Sequence, residues 1–423
     1  MSGHSFPARC APFLMAFLAA TAHAQGQAPA SESLSLAEAR SRAVAQSPLL
    51  AAALAELTVA TAELRQAGLW PNPELGGEVE ELDGILSRSA ESETRLALQQ
   101  PLPILVRGAR REVARWGREE AEVRLELARR DLDAEVGRRF WSVLAAQERL
   151  QLTEMDLQTA REVSATVREL VAAGEVSPIE ESRADADAAL VASVLSVARR
   201  DLLTARGALA NALGEARPAF RTVTGELPTG AEVADLATLQ ARLGDTAEIR
   251  LLAVSEGRLA AESTVARREA WPEPAMRLGT FHRGIDREIG YVAGLAIQLP
   301  LWDRKQGAVA AARARQEVGR QRRRLEELRL SATLGAAHAD LVQATEETRL
   351  GLQELLPRAE AVFSAISEGY RRGKFGLLEV LEARRTLATA RERALDARLR
   401  LAQARVEVER LVGGSQVGPQ GGA

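Results

Sequence analysis

Cysteine is nearly absent from this 423-residue chain. The single cysteine, Cys10, lies in an N-terminal stretch with a basic residue at Arg9, an apolar run over 11–21 and a small-x-small end at Ala22-His23-Ala24. These are the parts of a secretory signal peptide, and the apolar run is too short to span a bilayer. We therefore expect residues 1–24 to be a signal peptide and the chain to be exported.

The mature chain that we expect contains no cysteine, which excludes disulfides, a thiol nucleophile and thiolate metal ligands. A lipid anchor needs a cysteine immediately after the cleavage site, where this sequence has Gln25 and Gly26. We therefore expect the protein not to be lipidated.

Long apolar runs and an excess of one charge are also missing. Beyond the leader, every stretch long enough to span a bilayer as a helix contains a charge, so no transmembrane helix is expected. The 55 basic and 58 acidic residues give a net charge of -3, which argues against a nucleic-acid partner. Aromatic residues make up 4% of the chain, while Ala, Leu, Arg and Glu dominate, as in long helices and coiled coils.

Residues with catalytic or ligand-binding chemistry are scarce as well. His282 and His338 are the histidines beyond the leader, and neither has a second histidine at metal-ligand spacing. There is no glycine-rich phosphate loop and no Ser/His/Asp arrangement. We expect no catalytic residue, no resident metal site and no cofactor.

What the chain does contain is an internal duplication. Trp70-Pro71-Asn72-Pro73 has a counterpart at 271–274, and Gln99-Gln100-Pro101-Leu102 has one at 298–301. The Gly turn at 173–176 has a counterpart at 372–375, at nearly the same offset. Such a constant offset indicates two copies of one structural unit.

Each copy is predicted to contain a helix, two short strands, a very long helix, a Gly turn and another long helix. The first repeat covers 25–213 and the second covers 246–412. Between them lies a linker at 214–245, and a flexible tail follows at 413–423. The predicted strands are 74–82, 93–101, 275–283 and 290–299, and the long helices are 107–173, 178–213, 304–372 and 377–412.

The last helix carries a heptad seam, in which apolar residues recur at two positions of a seven-residue repeat. Alanine dominates the second position and lets helix axes approach closely, which suits many helices side by side in a wall. A helix of about 67 residues would reach about 100 Å, longer than a compact domain requires. The seam residues are Val380, Leu387, Ala394, Leu401 and Val408, with Ala383, Ala390, Ala397, Ala404 and Leu411.

The four predicted strands are each about nine or ten residues long, the length that a tilted strand needs to cross a bilayer. Met276, Leu278 and Thr280 are expected to share one face of a strand. Four strands cannot close a barrel, and strand edges cannot stay unpaired in lipid. Several chains are therefore expected to share one barrel.

At this point the mature sequence resembles the TolC-like outer-membrane factor family. The motifs are the two tips, Gly174-Glu-Val-Ser-Pro-Ile-Glu180 and Gly373-Lys-Phe-Gly-Leu-Leu-Glu-Val-Leu-Glu-Ala383. The second is similar to the family pattern G-x-x-x-(I/V)-D-V-L-(D/E)-A. The segments 67–75, 99–102 and 107–111 resemble the heavy-metal efflux branch, which is CzcC- and CusC-like.

The resemblance implies a mainly α fold with a small β part, in which a homotrimer forms an α-barrel of duplicated helix hairpins and shares a 12-stranded transmembrane β-barrel. It further implies an outer-membrane location with the helices in the periplasm. The implied partners are outer-membrane lipid, a periplasmic adaptor protein and an inner-membrane RND pump. The implied function is the outer-membrane channel of a tripartite efflux system that exports heavy-metal cations.

The resemblance also implies roles for residues near the tips. It implies that Gly174, Ser177, Gly373 and Gly376 form the docking site for the adaptor. It also implies that Glu379 and Glu382 form the selective constriction. A closed-state latch falls on Glu180 and Tyr370. The family's latch arginine falls on Phe375 in this sequence, so the basic partner would be Lys374 or Arg372.

Three other functions remain open on the sequence. A drug-efflux or type I protein-secretion duct would share every feature of the channel. A periplasmic coiled-coil adaptor or chaperone would explain the long helices but not the two strand pairs. A secreted enzyme has only the signal peptide in its favour.

Overall fold

The computed structural model describes residues 31–80, 93–283 and 288–413. The expected signal peptide, the last residues of the first predicted strand at 81–82, the strand-connecting loops and the tail beyond 413 lie outside these residues.

Helices account for most of the described chain. In order, the elements are β1 Ser31–Ser35, α1 Leu36–Gln46, α2 Pro48–Ala67, β2 Glu74–Glu80, β3 Glu93–Pro101, α3 Val106–Ala172, α4 Pro178–Ala212, β4 Phe220–Thr224, α5 Leu236–Arg242 with a 3-10 turn at Leu243–Asp245, α6 Ala247–Arg268, β5 Pro274–Arg283, β6 Glu288–Ile297, α7 Gln306–Leu350 with a π turn at Gly351–Leu355, α8 Leu356–Arg371 and α9 Leu377–Val412.

The helices lie side by side in two four-membered layers that share α3, and α7 also extends from the first layer along α9 of the second. In the layer next to the sheet, the contacts run α2–α3, α3–α6 and α6–α7. In the layer next to the Gly turns, they run α4–α3, α3–α9 and α9–α8. We call these the sheet-side wall and the tip-side wall. At about 1.5 Å per residue, the 67-residue α3 is about 100 Å long and runs through both walls.

Ion pairs between helices fix the antiparallel register along α3. Arg110 pairs with Glu269 at 2.8 Å and Arg130 with Glu248 at 2.6 Å, which joins α3 to α6. Further along, Arg138 pairs with Glu407 at 3.1 Å, which joins α3 to α9. Because the partner number on α6 falls as the α3 number rises, these two helices are antiparallel.

The predicted heptad seam of α9 is confirmed. All of its residues are buried except Ala404, which is partly buried. Leu401 is fully buried and packs in a cluster with Leu334 and Leu341 of α7. Small alanines between these leucines allow the close approach of neighbouring helices.

The helix expected over 304–372 is interrupted in the structure. It begins at Gln306 and contains a π turn at Gly351–Leu355, and α8 follows with Pro357 in its first turn. Proline has no N–H to donate and its ring crowds the carbonyl of the preceding turn. A wider turn just before the proline relieves that crowding.

The linker expected at 214–245 has regular structure of its own. Strand β4 pairs in parallel with β1, with Leu34 opposite Val223. Phe220, Val223 and Leu34 join Phe140 of α3 in the largest apolar cluster. The linker thus packs the beginning of the described chain against the middle of the long helix.

Among the described helices, no single one is long and apolar enough to cross a membrane; the bent pair Leu36–Gln46 and Pro48–Ala67 passes that test together, by length and composition alone.

Candidate functional site

The four long strands form one antiparallel sheet in the order β2-β3-β5-β6. Residues opposite each other in the ladder share a face, so the register decides which side chains lie together. Leu75 lies opposite Leu98, Leu98 opposite Leu278, and Leu278 opposite Ala293. This chain of partners defines an apolar face, and the predicted set Met276, Leu278 and Thr280 lies on it.

The other face of the sheet is polar. Glu78 lies opposite Arg95, and Arg95 lies opposite Phe281. On this face Arg277 pairs with Glu78 at 3.4 Å, and Arg95 pairs with Glu93 at 3.0 Å. A sheet with one apolar and one charged face is suited to separate lipid from water.

Both outer strands of this sheet have an open edge. In the described chain β2 pairs with β3 alone, and β6 pairs with β5 alone. The apolar face is also uncovered, since Leu75, Leu295 and Tyr291 are all exposed. Open edges and an uncovered apolar face are suited to pairing with further strands in a non-aqueous environment.

The two helical walls have open edges too. Their outer members are α2 and α7 on the sheet side, and α4 and α8 on the tip side. Exposed large apolar side chains occur on all four of these helices. They include Leu54 and Val59 on α2, Leu190, Val194 and Leu203 on α4, Leu325 and Leu328 on α7, and Val362 on α8.

The two Gly turns at the far end have the same geometry. Gly174 has a φ of 77° and Gly373 a φ of 68°, values that only glycine adopts readily. The N–H of Glu175 donates to Leu170 O at 2.9 Å, and the N–H of Lys374 donates to Gly369 O at 2.8 Å. The predicted docking residues therefore lie in two equivalent turns, in which the chain reverses between helices.

The helices after the turns begin differently. The Ser177 hydroxyl accepts a hydrogen bond from the Ile179 N–H at 3.4 Å and caps α4. At the corresponding place Gly376 has no side chain, and Glu379 caps α9 by accepting from the Gly376 N–H at 3.0 Å. The structure thus assigns Glu379 a local capping contact. Glu382, one turn further along α9, is exposed.

The predicted latch residues lie near one another without a hydrogen bond between them. Tyr370 is only 7% exposed, and its hydroxyl has no hydrogen-bond partner among the described residues. Burial, and then the charge of Glu180, raise the pKa of Tyr370, so the phenol stays a donor near neutral pH. Lys374 is exposed and makes no ion pair with any described residue.

Phe375, at the position where the resemblance predicts a latch arginine, packs back onto α8. A Cβ atom added to Gly369 would overlap the Phe375 ring, so the ring rests directly on this glycine. The α8–α9 turn is therefore closed by an apolar contact at this position.

The sequence did not reveal a buried group of charges near the tips. Arg384 of α9 and Asp187 of α4 are each 3% exposed and are joined at 2.5 Å. Arg384 also pairs with Asp156 of α3 at 2.5 Å, and Arg385 pairs with Asp187 at 2.8 Å. These four residues link three helices, and we call them the tip-side ion cluster. The one signal in the sequence is that Arg384 lies next to the seam residue Ala383.

Within the described part of the chain, no three His, Cys, Asp or Glu side chains come together in a group that could hold a metal ion.

The comparison with known families agrees with the duplicated fold. The family model of the outer membrane efflux proteins matches residues 39–215 and 259–414, one segment in each repeat. The chain belongs to the outer membrane efflux protein family. Membership places it in the outer membrane, with its helical part in the periplasm.

Two curated members of the family are similar over most of their length. The cobalt-zinc-cadmium resistance protein CzcC of Cupriavidus metallidurans is 31% identical over 383 residues, which are 90% of each chain. The nickel-cobalt-cadmium resistance protein NccC of Alcaligenes xylosoxydans xylosoxydans is 28% identical, over 82% of this chain and 79% of its own.

A solved structure of CusC has the same fold. It superposes with a TM-score of 0.74 and 18% identity, over 91% of this chain and 94% of its own. The mainly α architecture with few strands, expected from the sequence, is thereby confirmed.

Proposed function

We propose that three copies of this chain close one continuous channel, which exports heavy-metal cations from the periplasm to the exterior. The observation that carries the proposal is that the open edges of the sheet and of both helical walls occur together in one chain. A second copy beside each edge would pair the strands and cover the exposed apolar side chains in the same step.

Three copies would give twelve strands in the membrane and twelve helices in each wall. With roughly 10 Å between neighbouring helix axes, such a ring would measure roughly 38 Å across. The polar face of the sheet would line the water-filled interior, and the apolar face would meet lipid.

The cargo is proposed from the relatives. CzcC and NccC are named for resistance to cobalt, zinc, cadmium and nickel, and the first is 31% identical over 90% of this chain. A tripartite system requires an adaptor protein and an inner-membrane RND pump. We propose that the adaptor docks on the turns around Gly174, Ser177, Gly373 and Gly376.

Glu382 is proposed as the selective residue of the tunnel. Three exposed carboxylates in a narrow aqueous passage would attract cations and repel anions. Glu379, although it caps α9, would add negative charge nearby.

Tyr370, Glu180 and Lys374 are proposed to form the closed-state latch. Because the Tyr370 hydroxyl is a buried donor without a partner among the described residues, a small movement of the hairpins or a neighbouring subunit could supply its acceptor.

Conductance across planar lipid bilayers tests the channel. Purified full-length protein in detergent is expected to have the mass of three chains and to give discrete cation-preferring currents. The variant Glu382→Gln is expected to reduce the cation preference without reducing channel number. Protein that stays monomeric in buffer without detergent, and gives no currents, would overturn the proposal.

Growth of a deletion strain tests the cargo. Loss of the gene is expected to lower tolerance to zinc, cobalt or cadmium and to leave drug tolerance unchanged. If drug tolerance alone fell, the channel would belong to a drug-efflux system.

A further inference from the structure

Glu382 and Arg385 lie one helical turn apart on α9 and line the same shallow cavity of about 260 Å³. At this i, i+3 spacing a glutamate and an arginine can form an ion pair on a helix. The chain does so at Glu346–Arg349 and at Glu407–Arg410, each at 2.7 Å. Glu382, in contrast, forms no ion pair with Arg385 or with any other residue of the described chain.

Arg385 is instead paired with Asp187 of α4. Its Oδ1 atom accepts hydrogen bonds from Arg385 Nη2 at 2.8 Å and from Arg385 Nε at 3.1 Å. Its Oδ2 atom accepts from Arg384 Nη2 at 2.5 Å. With 59% of its side chain exposed, Arg385 has room to turn elsewhere, yet it is held by this two-atom contact.

The charges of the tip-side ion cluster pair with each other. Arg384 and Arg385 carry two positive charges, and Asp156 and Asp187 carry two negative charges that contact them directly. Among the described residues Glu382 is left without an ion pair, and Arg393, about three turns further along α9, lines the same cavity. Asp187 itself is 3% exposed, so a passing ion could not contact it.

We infer that Asp187 is a specificity-determining residue of the channel. It acts by positioning Arg385 away from Glu382, so that the Glu382 carboxylate remains free to attract cations. This inference rests on the proposed role of Glu382. A buried ion pair seldom stabilises a fold more than apolar packing would, which is consistent with a role other than stability.

The first test is Asp187→Asn in full-length channels, with reversal potentials measured under a KCl gradient in planar bilayers. Arg385 would lose its charged partner and pair with Glu382, so the ratio of cation to anion permeability is expected to fall roughly fivefold. The matched control is Asp201→Asn, which removes the same charge further along α4, where Asp201 pairs with Arg200 at 2.8 Å. That variant is expected to keep the wild-type ratio.

Two further variants separate charge positioning from mere structural support. Arg385→Gln leaves Glu382 free and adds the unbalanced charge of Asp187, so its permeability ratio is expected to exceed that of the wild type. The double variant Asp187→Asn with Arg385→Gln is expected to return to the wild-type ratio, because no released guanidinium remains. A purely structural role for Asp187 would not be rescued by removing a second member of the cluster.

The inference would be overturned if Asp187→Asn kept the wild-type ratio of cation to anion permeability, or if the double variant had a ratio as low as that of Asp187→Asn. If Asp187→Asn does not assemble, the ratio of Arg385→Gln decides: a value at or below the wild type overturns the inference. Glu382→Gln distinguishes the two levels of failure. If it leaves the ratio unchanged, the proposed role of Glu382 fails; if it lowers the ratio while Asp187→Asn does not, only the role of Asp187 fails.

Discussion

Two adjacent residues at the centre of β6 test which face of the sheet meets lipid. Ala293 lies opposite Leu278 on the apolar face, and Val292 lies opposite Gly279 on the polar face. Both side chains are exposed in the protomer, so neither substitution disturbs an existing core. The perturbation is an arginine at each position, one at a time.

The expected magnitude follows from depth in the membrane. The ten residues of β6 span about 33 Å along the strand, and a tilt of about 40° reduces this to about 25 Å of height. Residues 292 and 293 would therefore lie near the middle of the bilayer. An arginine facing lipid at that depth costs about 2–4 kcal/mol, or about 6–12 kcal/mol for a trimer. An arginine facing the water-filled interior is expected to change the free energy of unfolding by less than about 1 kcal/mol.

The assay is urea-induced unfolding of the protein inserted in phospholipid vesicles, followed by unheated gel electrophoresis of the assembled form. Ala293→Arg is expected to shift the transition to much lower urea or to prevent insertion, while Val292→Arg is expected to behave as the wild type. Equal loss in both variants, or a larger loss in Val292→Arg, would refute the assignment of the faces and with it the shared barrel.

Four further predictions concern the helices. Gly373→Ala places a side chain at a φ of 68° with no atom within 4 Å, so thermal unfolding should report a loss of about 1 kcal/mol from backbone strain alone. Gly369→Ala should be rescued by Phe375→Ala because the added methyl group meets that ring, whereas Gly373→Ala should not; rescue of both would contradict the contact. Tyr370→Phe should leave thermal stability nearly unchanged, because the hydroxyl bonds to no described residue of the protomer, but should raise the conductance of isolated channels if the latch operates. Finally, the hydrogen bond from Arg410 lowers the pKa of Glu407 below its ordinary 4.5, so the stabilisation is present above that pH and is lost as the pH falls through the lowered value. Acid unfolding of Glu407→Gln should accordingly show a weaker pH dependence below 4.5 than the wild type.

The features that could be predicted from the sequence are those encoded by local periodicity. The heptad seam of α9 required only the spacing of Leu387, Ala390 and Leu401, and the shared face of Met276 and Leu278 required only alternation. The Gly turns could be predicted because each glycine has a counterpart at the same place in the other repeat. In the structure both glycines adopt a positive φ. Each of these inferences depends on a short, regular pattern or on its repetition.

What could not be predicted depends on contacts between distant segments. Asp187 and Arg384 lie on different repeats, and in the sequence the pair Arg384-Arg385 looks like an ordinary solvated helix face. Likewise, Leu34 of β1 meets Val223 of β4 across most of the first repeat, with no repeated motif to indicate the pairing. The capping contact of Glu379 arises because Gly376 lacks the hydroxyl that Ser177 provides in the other turn.

The π turn at Gly351–Leu355 has a consequence for how this family can vary. A π turn holds one residue more than the α-helical path would, and one residue rotates everything beyond it by about 100°. Gly351 is buried against Ala394 of α9, so the wall itself is anchored at that level. Losing a single residue here would leave α7 in place but turn Phe363 and Tyr370 away from α9. A one-residue insertion or deletion at this level can therefore re-orient α8 and the Gly turn that follows it, while the sheet-side wall keeps its packing.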